Sequence, residues 1–156
     1  MRISVGSDHA AYELKAKVVE RLLELGHEVL DEGTFGPESV DYPDIAAVVA
    51  RRVQTGEADR GILLCGTGIG MSIAANKFRG IRCAVCHDLQ TSILSREHND
   101  ANILALSGRH ADPALALEMV QVWLETEFLG GRHGRRVDKI RKIEEGSSAV
   151  DPVDHV

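Results

Sequence analysis

Cysteine is scarce in this chain, with three residues in 156, an odd number. No secretory signal accompanies them: the opening "MRISVGSDHA" meets Asp8 after too short an apolar stretch. Together these predict free thiols in a reducing, cytoplasmic compartment rather than a disulfide scaffold. Long hydrophobic runs are missing too, and none approaches the roughly 20 residues needed to span a bilayer. Positive charge is in deficit, with a formal net charge of −6. That disfavours general nucleic-acid binding but leaves room for a basic pocket. No internal repeat and no dividing linker is visible.

What is present is an ordinary globular balance, 44% hydrophobic and 27% charged residues. The length suits one domain with a real core. Short β-branched runs alternate with stretches of helical period, the pattern of a parallel sheet with crossover helices. "RISVGS" (2–7) reads as the first strand. The helix over 11–25 places Leu14, Val18, Leu22 and Leu25 on one face, and Gly26 stops it. "HEVLD" (27–31) is a second strand, and Pro43 of "DYPD" opens a helix to about Gln54. "GILLC" (61–65) is apolar enough to lie between two helical layers. A short helix to about Lys77, strands over 81–86 and 103–107, and a helix from about Asp88 to His98 follow. Helices from Pro113 to about Glu125 and over 135–145 complete the predicted elements. The fold class predicted is α/β: one three-layer α/β/α sandwich with a Rossmann-like parallel sheet of about five strands. The domain covers 1–145, and 146–156, without periodicity, reads as a mobile tail.

The chemistry gathers around "CGTGIGM" (65–71). A glycine-rich turn between strand and helix lets backbone N–H groups approach an anion, at the carboxyl edge where open α/β sheets bind ligands. A simple tight turn would use the same glycines. A dinucleotide loop fits poorly, because the third glycine of G-x-G-x-x-G falls on Met71 or Ile73. Cys65 sits where loop N–H groups favour a thiolate, a base or nucleophile, although a lone cysteine at a strand end also serves as a small core hydrophobe.

"CAVCH" (83–87) matches the haem-attachment pattern C-x-x-C-H, but on a strand Cys83 and Cys86 face opposite ways. They read as core residues. Asp8 and His9 follow the first strand on the Cys65 edge, where Asp8 could also cap a helix. His98, with Asn99 beside it, ends a helix and suits either the dipole or acid–base work near neutral pH. Arg132, Arg136 and Lys139 lie at helical spacing in "GGRHGRRVDKIRK" (130–142), the one strongly basic stretch. Arginine forks suit phosphate, and a solvated helix face is the commoner explanation.

Six motifs in order, "SDHAAYELK", "DYPD", "CGTGIGMSIAANK", "GIRCAVC", "SREHNDANILAL" and "GGRHGRRV", cover about residues 3–143. Together they resemble the B-type ribose-5-phosphate isomerases, a family that also includes galactose-6-phosphate and allose-6-phosphate isomerases. The resemblance implies a metal-free, cofactor-free aldose–ketose isomerase acting on a small sugar phosphate. It further implies a homodimer or homotetramer with active sites at the subunit interface, letting the basic C-terminal segment reach a neighbour's pocket.

By position, Cys65 resembles the base moving a proton between C2 and C1, with Thr67 in support and the N–H groups of Gly66, Gly68 and Gly70 at the enediolate. His98 resembles the ring-opening residue and Asn99 a neighbour that orients substrate. Asp8 and Tyr42 would hold the sugar, and His9, Arg109, Arg132 and Arg136 the phosphate. Met71 stands where some members carry a basic glutamate, which places this chain in the cysteine-type branch. Ser107 of "LSGRH" replaces a glycine common in relatives. The expected reaction is ribose 5-phosphate to ribulose 5-phosphate. The alternatives are a six-carbon relative of the family or a non-catalytic phosphosugar- or nucleotide-binding module, and the retained Cys65, Thr67 and His98 argue against the binder.

Overall fold

A computed structural model describes residues 1–146; nearly all of the predicted tail (147–156) lies outside the described residues. Five strands alternate with helices: β1 (Arg2–Ser7), α1 (Tyr12–Glu24), β2 (Glu28–Asp31), α2 (Tyr42–Gln54), β3 (Arg60–Cys65), α3 (Ile69–Ala75), β4 (Cys83–Val85), α4 (Leu89–Asn99), β5 (Ile103–Ser107), α5 (Pro113–Glu125) and α6 (Gly131–Glu144). All pairings are parallel, in the order β2-β1-β3-β5-β4. The sheet is therefore the predicted five-stranded parallel one.

Period-2 alternation splits the sheet's side chains between two cores. Ile3, Val5, Ile62, Leu64, Leu104 and Leu106 pack against Leu14, Val18 and Leu22 of α1 and Met119 and Trp123 of α5. Leu63, Cys65, Ile103 and Ala105 face Ala46, Val49 and Ala50 of α2 and Met71 of α3. Cys86 belongs to the first core and Cys83 to the second, so the two thiols do face opposite ways.

Several boundaries differ from the sequence expectation. Strand β4 is three residues rather than six, because side chains replace its missing ladder: Arg82 N–H donates to Asn102 Oδ1 at 2.8 Å and Cys83 N–H to Asn76 Oδ1 at 2.8 Å. Helix α3 ends at Ala75, where Lys77 and Phe78 turn back in tighter three-residue hydrogen bonds. Helix α6 starts at Gly131 instead of residue 135, so Arg132, Arg136 and Lys139 do share one helix. Asp8 does not cap α1; its Oδ1 accepts the Ala10 N–H at 2.9 Å, and the cap position is Ala11, which makes no side-chain cap.

From β1 the chain crosses outward to β2, and from β3 it continues toward the other side of the sheet, so the switch of direction lies between β1 and β3. A crevice opens outside the carboxyl ends of two such strands. Asp8 follows one and Cys65 ends the other, and Asp8 N–H donates to Leu64 O at 3.1 Å across the join.

Candidate functional site

Cys65 leaves the sheet in register with Ser107 and is 5% exposed. The chain then turns through Gly68, at φ 80°, into α3. That turn brings the Gly68 N–H onto Cys65 Sγ at 3.1 Å, a donor placed to stabilise sulfur carrying negative charge. A side chain at Gly68 would be strained by its φ, and its Cβ would lie 3.1 Å from the Leu106 carbonyl carbon. Thr67 is exposed, and its Oγ1 accepts the Ile69 N–H at 3.3 Å.

Two side chains lie on the glycines themselves. The Tyr42 ring covers Gly70 so closely that a Cβ there would sit 2.7 Å from ring carbons. The Arg109 guanidinium lies over Gly66, 3.5 Å from where a Cβ would be. The turn carrying Arg109 is laced to the loop. Gly108 N–H donates to Cys65 O at 2.7 Å, Ser107 Oγ donates to Gly66 O at 2.8 Å, and His110 N–H donates back to Ser107 Oγ at 3.0 Å. Beside them Asp8 is 8% exposed. His9 Nδ1 accepts the Val40 N–H at 3.3 Å, which leaves Nε2 as the protonated nitrogen of the neutral ring. One edge thus gathers Asp8, His9, Tyr42, Cys65, Gly66, Thr67, Gly68, Gly70 and Arg109.

His98, Asn99, Arg132 and Arg136 are not there. Helix α4 runs back against the strand direction, and Asn102 just beyond it accepts the Gly61 N–H at 3.0 Å, at the start of β3. Cys65 stands four residues farther along that strand, about 13 Å at the usual rise. His98 stacks on His133, with centroids 4.1 Å apart and planes 3° from parallel. Arg132 Nε approaches His133 Nε2 at 3.5 Å. Asn99 O accepts Arg82 Nε at 3.1 Å. Burial holds the His133 imidazolium below the ordinary histidine range, followed by the charges of His98, Arg132 and Arg136, with Glu97 opposing.

Sequence reasoning passed over His133, although it lies inside the quoted "GGRHGRRV". It also gave Ser107 no role. Cys83 and Cys86, buried like Cys65, lie on the sheet's two faces. Burial drives the Cys83 thiol far above its ordinary range and raises that of Cys86 despite hydrogen bonds from Ser95, Ser92 and Thr91. Among the described residues no group of three or more His, Cys, Asp or Glu stands together as a metal cluster would.

The arrangement at the Cys65 edge is chemically suited to proton transfer beside a carbonyl: a thiol whose sulfur accepts an N–H, with an arginine and a tyrosine lying over the adjacent glycines. Comparison with known proteins identifies the family. The Ribose/Galactose Isomerase family model matches residues 3–140. A ribose-5-phosphate isomerase B of Escherichia coli is 49% identical over 144 residues, covering 92% of this chain and 97% of its own. A D-erythrulose-4-phosphate isomerase of Pectobacterium atrosepticum is 43% identical over 142 residues, 90% of this chain and 93% of its own. The solved structure of a Clostridium thermocellum ribose-5-phosphate isomerase B superposes with a TM-score of 0.93 at 55% identity, over 95% of this chain and all of that one.

Proposed function

The chain belongs to the ribose/galactose isomerase family, and from that premise we propose that it interconverts D-ribose 5-phosphate and D-ribulose 5-phosphate. The observation that carries this is Cys65 at the strand-switch edge, its sulfur accepting the Gly68 N–H. A proton is first moved between the anomeric hydroxyl and the ring oxygen, opening the furanose; His98 does this. Cys65, as thiolate, then takes the proton from C2. The electron pair moves into the C1–C2 bond and onto O1, giving an enediolate. Loop N–H groups from Gly66 to Gly70 hold that charge. Return of the proton to C1, with the O2 proton passing to O1, leaves the ketose. Atoms and electrons balance without any co-reactant.

Asp8 and Tyr42 hold the sugar, Asn99 orients it, Thr67 supports Cys65, and His9, Arg109, Arg132 and Arg136 bind the phosphate, whose remote binding energy places the reacting carbons. The whole assignment occupies one domain, 1–145, with no cofactor, in the cytoplasm; no helix among the described residues is long and apolar enough to cross a membrane.

Because the two groups of residues stand at opposite edges of one sheet, a complete site needs a second copy. In a two-fold dimer the α4–α6 end of each chain meets the Cys65 loop of the other, making two identical sites. Exposed isoleucines at both ends support this: Ile69 and Ile73 on α3, Ile140 and Ile143 on α6.

The test is conversion of ribose 5-phosphate in the presence of a chelator, by native protein and Cys65→Ala. Activity that survives chelation and collapses in the variant supports a metal-free thiolate base. Activity retained by Cys65→Ala moves the base elsewhere. Turnover of allose or galactose 6-phosphate in place of the pentose keeps the family and changes the substrate.

A further inference from the structure

We infer that His133 is a positioning residue, its ring stacked on His98 to fix the plane in which that imidazole meets the sugar. The inference rests on the isomerase reading above, in which His98 opens the ring.

A histidine in the last turn of a helix is poorly constrained by its own backbone, and the torsion that sets the ring plane is broad. His98 is such a residue, one position before the end of α4 and followed by Asp100 in the left-handed conformation. Ring opening is demanding of that plane, because the imidazole must present one nitrogen along a line to the sugar's oxygens, and misplacement by about 1 Å can cost about 10²-fold. Something outside α4 has to hold it.

His133 is placed to do so. Gly130 and Gly131, at φ 64° and 54°, swing the chain into α6, and His133 N–H closes the first turn onto Gly130 O at 3.0 Å. The Leu129 N–H donates to Glu97 O at 3.1 Å, which pins this turn to the end of α4. The His133 ring, 7% exposed, then lies flat on His98. The groups facing it are Glu97 and His98 from α4 and Arg132 and Arg136 from its own helix. Three of those four favour an uncharged His133, and the nearby Arg132 Nε suits an Nε2 lone pair.

The stack also says what His133 does not do. Imidazole nitrogens accept and donate in the plane of the ring. Two rings 3° from parallel, face to face, present no lone pair to each other's N–H. His133 therefore cannot pass a proton to His98, and its contribution is the ring face.

The decisive pair of variants is His133→Phe, which keeps a flat ring, and His133→Ala, which removes it. Two readouts are taken on the intact protein: kcat and KM for ribose 5-phosphate, and the NMR shifts of the His98 ring protons. With Ala, kcat is expected to fall about tenfold or more while KM stays within about threefold. The upfield ring-current displacement of the His98 protons should vanish. With Phe, both the displacement and most of kcat should return. A rise in KM alone, a Phe variant as impaired as Ala, or His98 shifts indifferent to both changes would overturn the inference. An inactive native protein would instead sink the isomerase reading, and the His98 shifts would still decide whether His133 holds that ring.

Discussion

The two edges of the sheet are built by different means. At the carboxyl edge the shape comes from the main chain: glycines with no side chain, a left-handed Gly68, and hydrogen bonds from loop to turn around Cys65. At the opposite edge the shape comes from side chains, with His98 on His133 and Arg132 beside them. The first is therefore broken by adding atoms and the second by removing them. Under the proposed roles the residues assigned to the reaction are divided between the two edges, and that division is what a shared site between two chains would complete.

The largest effects come from emptying each edge in turn. Cys65→Ala and His98→Asn should each lower kcat about 10²–10⁴-fold, the usual contribution of a positioned acid or base. The informative step is to unfold and refold the two inactive variants together. In a shared-site dimer, half the dimers are mixed, and one of their two sites has both native halves. Activity should then recover to about a quarter of the native value. No recovery on mixing would mean that each chain completes its own site, and the comparison of edges would lose its functional meaning.

A second contrast sets Cys65, whose sulfur accepts the Gly68 N–H, against Cys83 and Cys86. Burial raises Cys83 and Cys86, so at neutral pH a thiol reagent should label neither in the native protein. The stability consequence has a definite sign. Both buried thiols keep their protons when folded, whereas the unfolded chain loses them above the ordinary value of 9.0. Stability should be unaffected below that value and fall above it, by up to about 1.4 kcal/mol per pH unit for Cys83 and by less for Cys86. Denaturant unfolding of native protein against a Cys83→Ala, Cys86→Ala variant at rising pH measures the difference. Parallel curves would show that these thiols do not contribute.

Much of the fold was legible because periodicity reports directly on burial. The apolar run of β3 announced a strand covered on both faces, and the two cores confirm it. The misses share one physical cause, namely that backbone and side-chain partners distant in sequence decided the local outcome. The helix expected from residue 135 begins at Gly131 instead, because Gly130 and Gly131 are the turn that launches α6. Strand β4 was shortened by Asn76 and Asn102, which satisfy its backbone from outside. For the candidate site, residue types named the chemistry, and the motif order named the family. The division into two edges follows only from strand order and helix direction, and so does the partnership of His98 with His133.

The same substitution at both edges sharpens the contrast at smaller scale. Gly70→Ala puts a Cβ 2.7 Å from the Tyr42 ring, so tyrosine or loop must shift. A loss of about tenfold in kcat/KM is expected, from displacement of about an ångström or less. At Gly134 on α6 a Cβ meets nothing within 4 Å. There alanine should leave kcat/KM unchanged and raise stability by up to about 1 kcal/mol through helix propensity. Equal effects at the two positions would contradict the claim that the Cys65 loop depends on a missing side chain where α6 does not.

Ser107 tests a place where the carboxyl edge does lean on a side chain. Its hydroxyl donates to Gly66 O and accepts the His110 N–H, so it joins the glycine loop to the turn that carries Arg109. Without it, Gly66 O keeps the longer Arg109 N–H contact at 3.3 Å, and the His110 N–H loses its Ser107 partner. The turn should loosen, and with it the guanidinium over Gly66, while Cys65 stays tied by Gly68 N–H and Gly108 N–H. Ser107→Ala is therefore expected to raise KM for ribose 5-phosphate about threefold and to weaken inhibition by inorganic phosphate equally, with kcat within about twofold, the pattern of lost uniform binding. Ser107→Gly removes the same hydroxyl and adds backbone freedom. If the two variants match, the hydroxyl itself holds Arg109. If only glycine raises KM, strand stiffness holds it, and the hydrogen bonds to Gly66 and His110 are spectators.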